Sequence, residues 1–216
     1  GMLTGLATGV FHTFMGIPAI LSGILTQLSL YSVNLKIMGK ANQAISVGKY
    51  DLLVSLRYIK GVPFYQNTIF VVAVFIIIMI AVLYWFFGTE LGCAIRATGC
   101  NSSMSRAQGI NTNFNKVLGL MISNGLVALS SALLAQYQGF ADVNMGRGAI
   151  VIGLAAVIIG EAVFSKIFRN FALRLLSVAL GSILYYLVLQ TVIWLGIDTD
   201  LLKLLSAIVV AIFLAT

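Results

Sequence analysis

The side chains able to ligate a metal or attack a substrate are few and scattered. Cys93 and Cys100 stand seven residues apart in one polar stretch, and the only histidine, His12, lies far upstream. A zinc site needs three or four such ligands at one point, which this set does not provide. The cysteines read as reduced thiols in small-residue positions, and His12 as a polar residue of a packed helix. Hydrolysis is not served either, because no Ser, His and acid set and no cluster of carboxylates is present. Gly39-Lys40 and Gly48-Lys49 lack the upstream glycine and the following hydroxyl residue of a phosphate-binding loop. The expectation is a protein that is not an enzyme and holds no metal or cofactor. If ATP drives it, another chain binds the nucleotide. Glu161 follows a short apolar run, where a salt bridge with Lys166 at the membrane boundary and a role in proton coupling both fit.

What remains is a set of polar residues inside long apolar stretches: Gln27, Asn34, Ser123, Asn124, Ser130, Gln136, Tyr185, Tyr186 and Gln190. In hydrocarbon each must find a partner in the bundle or line a water-filled cavity. Bonding between helices and lining of a solute pathway are therefore the two readings. Gln27, Asn34, Asn124, Tyr185 and Gln190 are the pathway candidates.

The elements that hold these residues follow from composition. Of 216 residues, 60% are hydrophobic and 9% charged, whereas a soluble domain carries about 25% charged residues. A water-facing surface cannot be built from so few charges, so the chain belongs in a membrane. This excludes a secreted disulfide scaffold, a disordered chain and an ordinary cytosolic enzyme. Uncharged stretches cover 1–35, 61–89, 117–141 and 175–197, with shorter ones at 148–160 and 204–216. Since a span takes about 20 apolar residues, these predict an incomplete helix before Gly16, then helices over 17–35, 68–87, 117–138, 150–164, 173–195 and from 201 onward. The expected architecture is all-α: a polytopic integral membrane helical bundle of about six transmembrane helices plus a partial one. It forms one transmembrane domain over 1–216. The chain opens and closes inside apolar stretches, so it is expected to be a fragment with N-terminal helices missing. The opening residues lack the basic region of a signal peptide.

Small residues recur every four positions at Gly1, Gly5 and Gly9, and pair as Ala128 with Ala132, Ser131 with Ala135, and Ala156 with Gly160. Without a hydrophobic drive between helices in lipid, such ridges let backbones approach closely. Pro18, after Gly16, is expected to break the chain between the first two apolar pieces.

The formal charge of +7 fits loops held against anionic headgroups or a partner subunit better than nucleic acid. Orientation does not follow from it. Strict alternation puts Arg96, Arg106, Lys116, Lys166, Arg169 and Arg174 on one side, and Lys36, Lys40, Lys49, Arg57, Lys60, Arg147 and Lys203 on the other. Six against seven leaves the positive-inside rule undecided.

The most distinctive segment is 88–116, GTELGCAIRATGCNSSMSRAQGINTNFNK. It is too long for a tight turn. Asn101, Ser102 or Ser103 can cap a short helix through Met104, Arg106 and Ala107, which Gly109 would end in a left-handed conformation. By physics alone, a helix that docks something and a plain polar connector are both open.

The run G-x-x-I-R-A-T-G-x-N followed by R-A-x-G-I-N closely resembles the cytoplasmic coupling segment of ABC importer permeases of the branched-chain amino acid and ribose type. Two further blocks match in order: Asn144-Met145-Gly146-Arg147-Gly148 with G-L-A-A-V-I-I-G-E at 153–161, and upstream I-P-A-I-L-S-G-I-L-T at 17–26 with L-Y-S-V-N-L-K-I-M-G at 30–39. The upstream block is most similar to bacterial permeases assigned to tryptophan and tyrosine transport. The resemblance covers nearly the whole chain and places 88–116 in the cytoplasm. It implies a multi-pass protein of the bacterial inner membrane, a second permease subunit, a separate ATP-binding subunit and an extracytoplasmic substrate-binding protein. Contact with the ATPase would then come from Arg96, Gly99, Asn101, Arg106, Ala107 and Gly109, the two arginines as polar contacts, Gly99 and Gly109 as turn formers and Ala107 as the point of close approach. The solute would be a small polar one, an amino acid with aromatics favoured. The alternative is a secondary transporter or channel driven by an ion gradient, for which Glu161 alone is thin support.

Overall fold

A computed structural model describes residues 1–45, 54, 68–146, 149–164 and 170–194. They form two compact units, Gly1–Phe75 with Trp85–Asn144, and Ile76–Tyr84 with Met145–Thr216.

The first unit begins with α1, Met2–Thr13, and α2, Ala19–Met38. Between them the backbone turns at Gly16 (φ 67°), and Pro18 precedes the first turn of α2, its carbonyl accepting from Ser22 N–H at 2.9 Å. The break expected there is present. Strand β1, Asn42–Ala44, follows. The polar segment folds into α4, Glu90–Cys100, and α5, Ser102–Ala107, after α3, Thr68–Gly88. Helix α6, Thr112–Gln138, then runs back to strand β2, Phe140–Asp142. Gly39 (φ 70°) and Gly139 (φ 77°) end α2 and α6 in the left-handed conformation, which leaves each chain free to turn straight into its strand. The strands pair antiparallel, Asn42 opposite Asp142 and Ala44 opposite Phe140. Among the described residues this two-stranded ribbon is the one departure from an all-helical fold. It also brings the ends of α2 and α6 together.

Helix α1 lies antiparallel on α6, and glycine makes the contact. A Cβ on Gly5 would collide with the Leu120 carbonyl and stand 2.7 Å from Met121 Cα; one on Gly9 would stand 3.0 Å from Val117 Cα. Gly1 meets Asn124 and Ala128 in the same way. The four-residue glycine period thus becomes a seam between backbones. Ala132 and Ser131, by contrast, are exposed. Helix α2 joins α1 through hydroxyls: Thr8 Oγ1 donates to Thr26 Oγ1 at 2.9 Å, and Thr26 Oγ1 to the Ser22 carbonyl at 2.9 Å.

The second unit contains α7, Ala149–Phe164, and α8, Phe171–Trp194. Their seam follows the same rule. A Cβ on Gly181 would strike the Ala156 carbonyl and come 2.8 Å from Gly160 Cα, and one on Gly160 would strike the Ser177 carbonyl. Ala155, Ile159 and Tyr185 form its buried core, flanked by Ile152, Leu184 and Leu189.

Many apolar side chains, including Leu3, Ile20, Ile69, Trp85 and Trp194, point outward, which suits lipid rather than water. Among the described residues three helices are long and apolar enough to cross a membrane, Thr68–Gly88, Thr112–Gln138 and Phe171–Thr191. The other expected spans take different forms. α2 has the length, but Gln27, Asn34 and Lys36 make it more polar; α7 has 16 residues; the expected helix from 201 lies outside the described residues.

Candidate functional site

The polar segment is organised by capping. Thr89 Oγ1 accepts from Gly92 N–H at 3.3 Å and opens α4. Gly92 then sits against the Phe86 carbonyl and Phe87 Cα, so α4 can leave α3 at once. Asn101 separates α4 from α5, and its Oδ1 accepts from the N–H groups of Ser103 at 3.1 Å and Met104 at 3.0 Å. Gly109 (φ 81°) closes α5, its N–H donating to the Arg106 carbonyl at 3.0 Å and the next N–H, of Ile110, to the Ser105 carbonyl at 3.1 Å. Both orphan ends of a short helix are thereby satisfied locally. Asn111 Oδ1 caps α6 by accepting from Phe114 N–H at 3.1 Å.

The capped turns rest on α6. Asn115 Nδ2 donates to Thr98 Oγ1 at 3.3 Å, both residues being buried. Arg106 Nη2 donates to Thr112 Oγ1 at 3.2 Å, tying α5 to the first residue of α6. Arg96, Met104, Arg106, Ala107 and Phe114 are exposed.

Of the six residues singled out by resemblance, Asn101 and Gly109 are the cap and the terminator of α5. Ala107 stands open at its last turn, and Arg106 is exposed while bonded to Thr112. Gly99 differs. It lies inside α4, its φ is not positive, and nothing approaches within 4 Å of where its Cβ would be. It sets no turn, because Asn101 makes the break two residues later.

The expected pathway residues are not brought together by any described contact. Gln27, Asn34 and Gln190 are exposed. Asn124 donates to the Leu120 carbonyl of its own helix at 2.9 Å. Tyr185, 2% exposed, is core of the α7–α8 seam; its ring fills the space beside small residues instead of facing a channel. Gln136 Oε1 is buried without a partner among the described residues. Glu161 is exposed on α7, and Lys166 lies outside the described residues. Sequence reasoning missed Thr8 and Thr26, whose buried hydroxyls join α1 to α2, and Ser22 buried beside them. Short Ser and Thr side chains are common in membrane helices and carry no positional mark of their own.

Residues 1–214 match the family described as branched-chain amino acid transport system / permease component. The chain belongs to this family, and is a permease component of an ABC-type transport system. Over its full 216 residues it is 40% identical to the tyrosine transport system permease protein of Clostridioides difficile, covering 69% of that protein. It is 37% identical over 204 residues to the uncharacterized protein RP368 of Rickettsia prowazekii, again 69% of that chain. The autoinducer 2 import system permease protein LsrC of Yersinia pestis is 25% identical over 169 residues, 74% of this chain and 44% of that one. No solved structure matches. The family is one of transport components and not of enzymes.

Proposed function

We propose that the chain is the membrane-spanning subunit of a bacterial inner-membrane importer for an amino acid, aromatic ones foremost, with α4 and α5 as its cytoplasmic coupling segment. The observation that carries this reading is the 40% identity, along the whole chain, to a permease named for tyrosine transport. The working unit would pair this permease with a second copy, span the bilayer about six times, take substrate from an extracytoplasmic binding protein, and depend on ATP hydrolysed by a separate subunit.

In this reading the ATPase docks on the exposed face of Arg96, Met104, Arg106 and Ala107. Its closure on nucleotide displaces α5 as a rigid piece, and the Arg106–Thr112 bond passes the displacement to α6 and, through the glycine seam, to α1. Two access states are then separated by differential contacts, as coupling requires. Gln27, Asn34, Asn124 and Gln190 are the pathway candidates that fit this picture.

The test is uptake into proteoliposomes holding the complete permease and its partner subunits. Tyrosine uptake should need ATP, and the loaded binding protein should raise hydrolysis. Ala107→Trp and Arg106→Glu should each abolish uptake while the protein still folds, since a bulky group or a reversed charge spoils docking. A membrane-impermeant thiol reagent should reach Cys93 and Cys100, both exposed, from the cytoplasmic side alone. Uptake driven by a pH gradient without ATP overturns the reading in favour of a secondary transporter. ATP-dependent uptake indifferent to aromatic amino acids removes only the substrate.

A further inference from the structure

Beside the capped turns lies an open pocket of about 700 Å³ in the first unit, lined by α4, α6 and the turn joining α1 to α2. That size is in the range of small-molecule sites. Its lining is mostly apolar, with Ile95, Leu120 and Ala19 among it, and its polar side chains include His12, Thr98, Ser102, Asn115 and Lys116. Among the described residues no carboxylate lines it, and Lys116 is its one lysine or arginine.

The hydrogen bonds of the lining show which groups remain for an occupant. Thr98 Oγ1 donates to the Ala94 carbonyl at 2.7 Å and accepts from Asn115 Nδ2, so it is engaged twice. Asn115, 4% exposed, is held by that bond with its carboxamide oxygen left over. His12 Nδ1 lies 2.9 Å from the Ile17 carbonyl; a carbonyl only accepts, so Nδ1 carries a proton and Nε2 is the nitrogen left over. Among the described residues the Lys116 ammonium and the Ser102 hydroxyl have no protein partner. A cation and a hydroxyl donor beside an apolar wall are complementary to an anion with an apolar body.

We propose that this cavity is a binding site for a small amphipathic anion, its carboxylate or phosphate held by Lys116 and Ser102 and its apolar part against Ile95 and Leu120. The site belongs to each permease chain separately and lies on the side of the coupling segment, so it is distinct from a pathway built of the polar residues within the spans. Its existence does not depend on what the protein transports. The anion can be a free carboxylate or the phosphate of a lipid, and the two sources are separable by experiment.

The protein carries its own reporters. Cys100 lines the cavity and Cys93 does not, although both are exposed on the same helix. The complete permease would be placed in phosphatidylcholine nanodiscs, and the rate of maleimide labelling followed at each cysteine by mass spectrometry, with and without phenylacetate. In a second arm, nanodiscs containing phosphatidylglycerol replace the added carboxylate. Ligand at about ten times its Kd should slow labelling of Cys100 roughly tenfold and leave Cys93 unchanged. Two variants address the site from different sides. Lys116→Met removes the cation and keeps most of the stem. Gly119→Leu fills the cavity: a Cβ there meets only Ile95 Cγ2, at 3.6 Å, an ordinary contact, so the side chain grows inward without striking backbone. Both should lose the protection. Protection by phenylacetate identifies a free carboxylate as occupant; protection in the phosphatidylglycerol arm alone identifies a net-anionic lipid headgroup, since phosphatidylcholine carries the same phosphate without net charge. Selective protection of Cys100 by neither probe, or protection that persists in either variant, overturns the proposal.

Discussion

The α1–α6 seam and the α4–α5 segment are held together by opposite means. Along the seam glycines bring the backbones together, with Gly5 and Gly9 against Leu120, Met121 and Val117 and the Met2 side chain over Gly125. In the segment, side chains bond to backbone within a few residues: Thr89, Asn101 and Asn111 at three helix starts, Gly109 at one end. The seam uses dispersion at short range, because lipid removes the hydrophobic drive between helices but leaves close packing intact. The segment has water or headgroups to compete with and too few residues to pack, so its helices last only where their free N–H and C=O groups are met locally. One region is therefore intolerant of added volume, and the other of lost polarity or a changed φ.

The largest effect is expected on the seam. Gly5→Leu places a Cβ on the Leu120 carbonyl, and overpacking of that kind costs about 3 kcal/mol. The complete protein should lose most of its monodisperse peak in size-exclusion chromatography and melt lower; Gly181→Leu should do the same through the α7–α8 pair. Unchanged melting in both would mean that these helices are not closed by backbone contact.

A smaller and confined effect is expected in the segment. Gly109→Ala puts a Cβ in the left-handed region, at about 1–2 kcal/mol, and Asn101→Ala removes a cap worth about 1 kcal/mol. Hydrogen exchange should speed up in peptides covering α5 and stay as it was in α1 and α6. Acceleration that spreads into the seam would erase the distinction between the two regions.

The smallest effect separates two glycines of the same segment. Gly99→Ala falls in a helix with open space around it, so it should leave Tm unchanged or raise it slightly, by up to about 1 kcal/mol in stability. A loss matching that of Gly109→Ala would restore Gly99 to the turn-forming role.

That pair of glycines also shows where the sequence was readable. Asn101 and Gly109 announced themselves, because capping and left-handed termination are decided within four or five residues. Gly99 was a turn former by resemblance alone; it lies in the last turn of α4, and the break falls at Asn101. The period of four at Gly1, Gly5 and Gly9 gave the seam, since a helix puts those positions on one face whatever it packs against. The same logic at Ser131 and Ala132 found a face without a neighbour in the described residues. Apolar length located the helices, while polar content inside α2 and the shortness of α7 blurred the count of spans. Tyr185 read as a polar residue that either bonds within the bundle or lines a pathway; its burial against Ala155 and Ile159 is a tertiary fact that no local pattern records. The ribbon was illegible too, as neither strand exceeds three residues.

That ribbon also sets a timetable for biogenesis. Ala44 pairs with Phe140, so at the roughly 5–20 residues per second of synthesis the first strand waits about 5–20 s for its partner to be made. During that wait α3, the capped segment and α6 are all synthesised before the backbone groups of Asn42, Gln43 and Ala44 meet theirs. The ribbon therefore closes only after these elements have been made, and its closure marks a chain in which all of them are present.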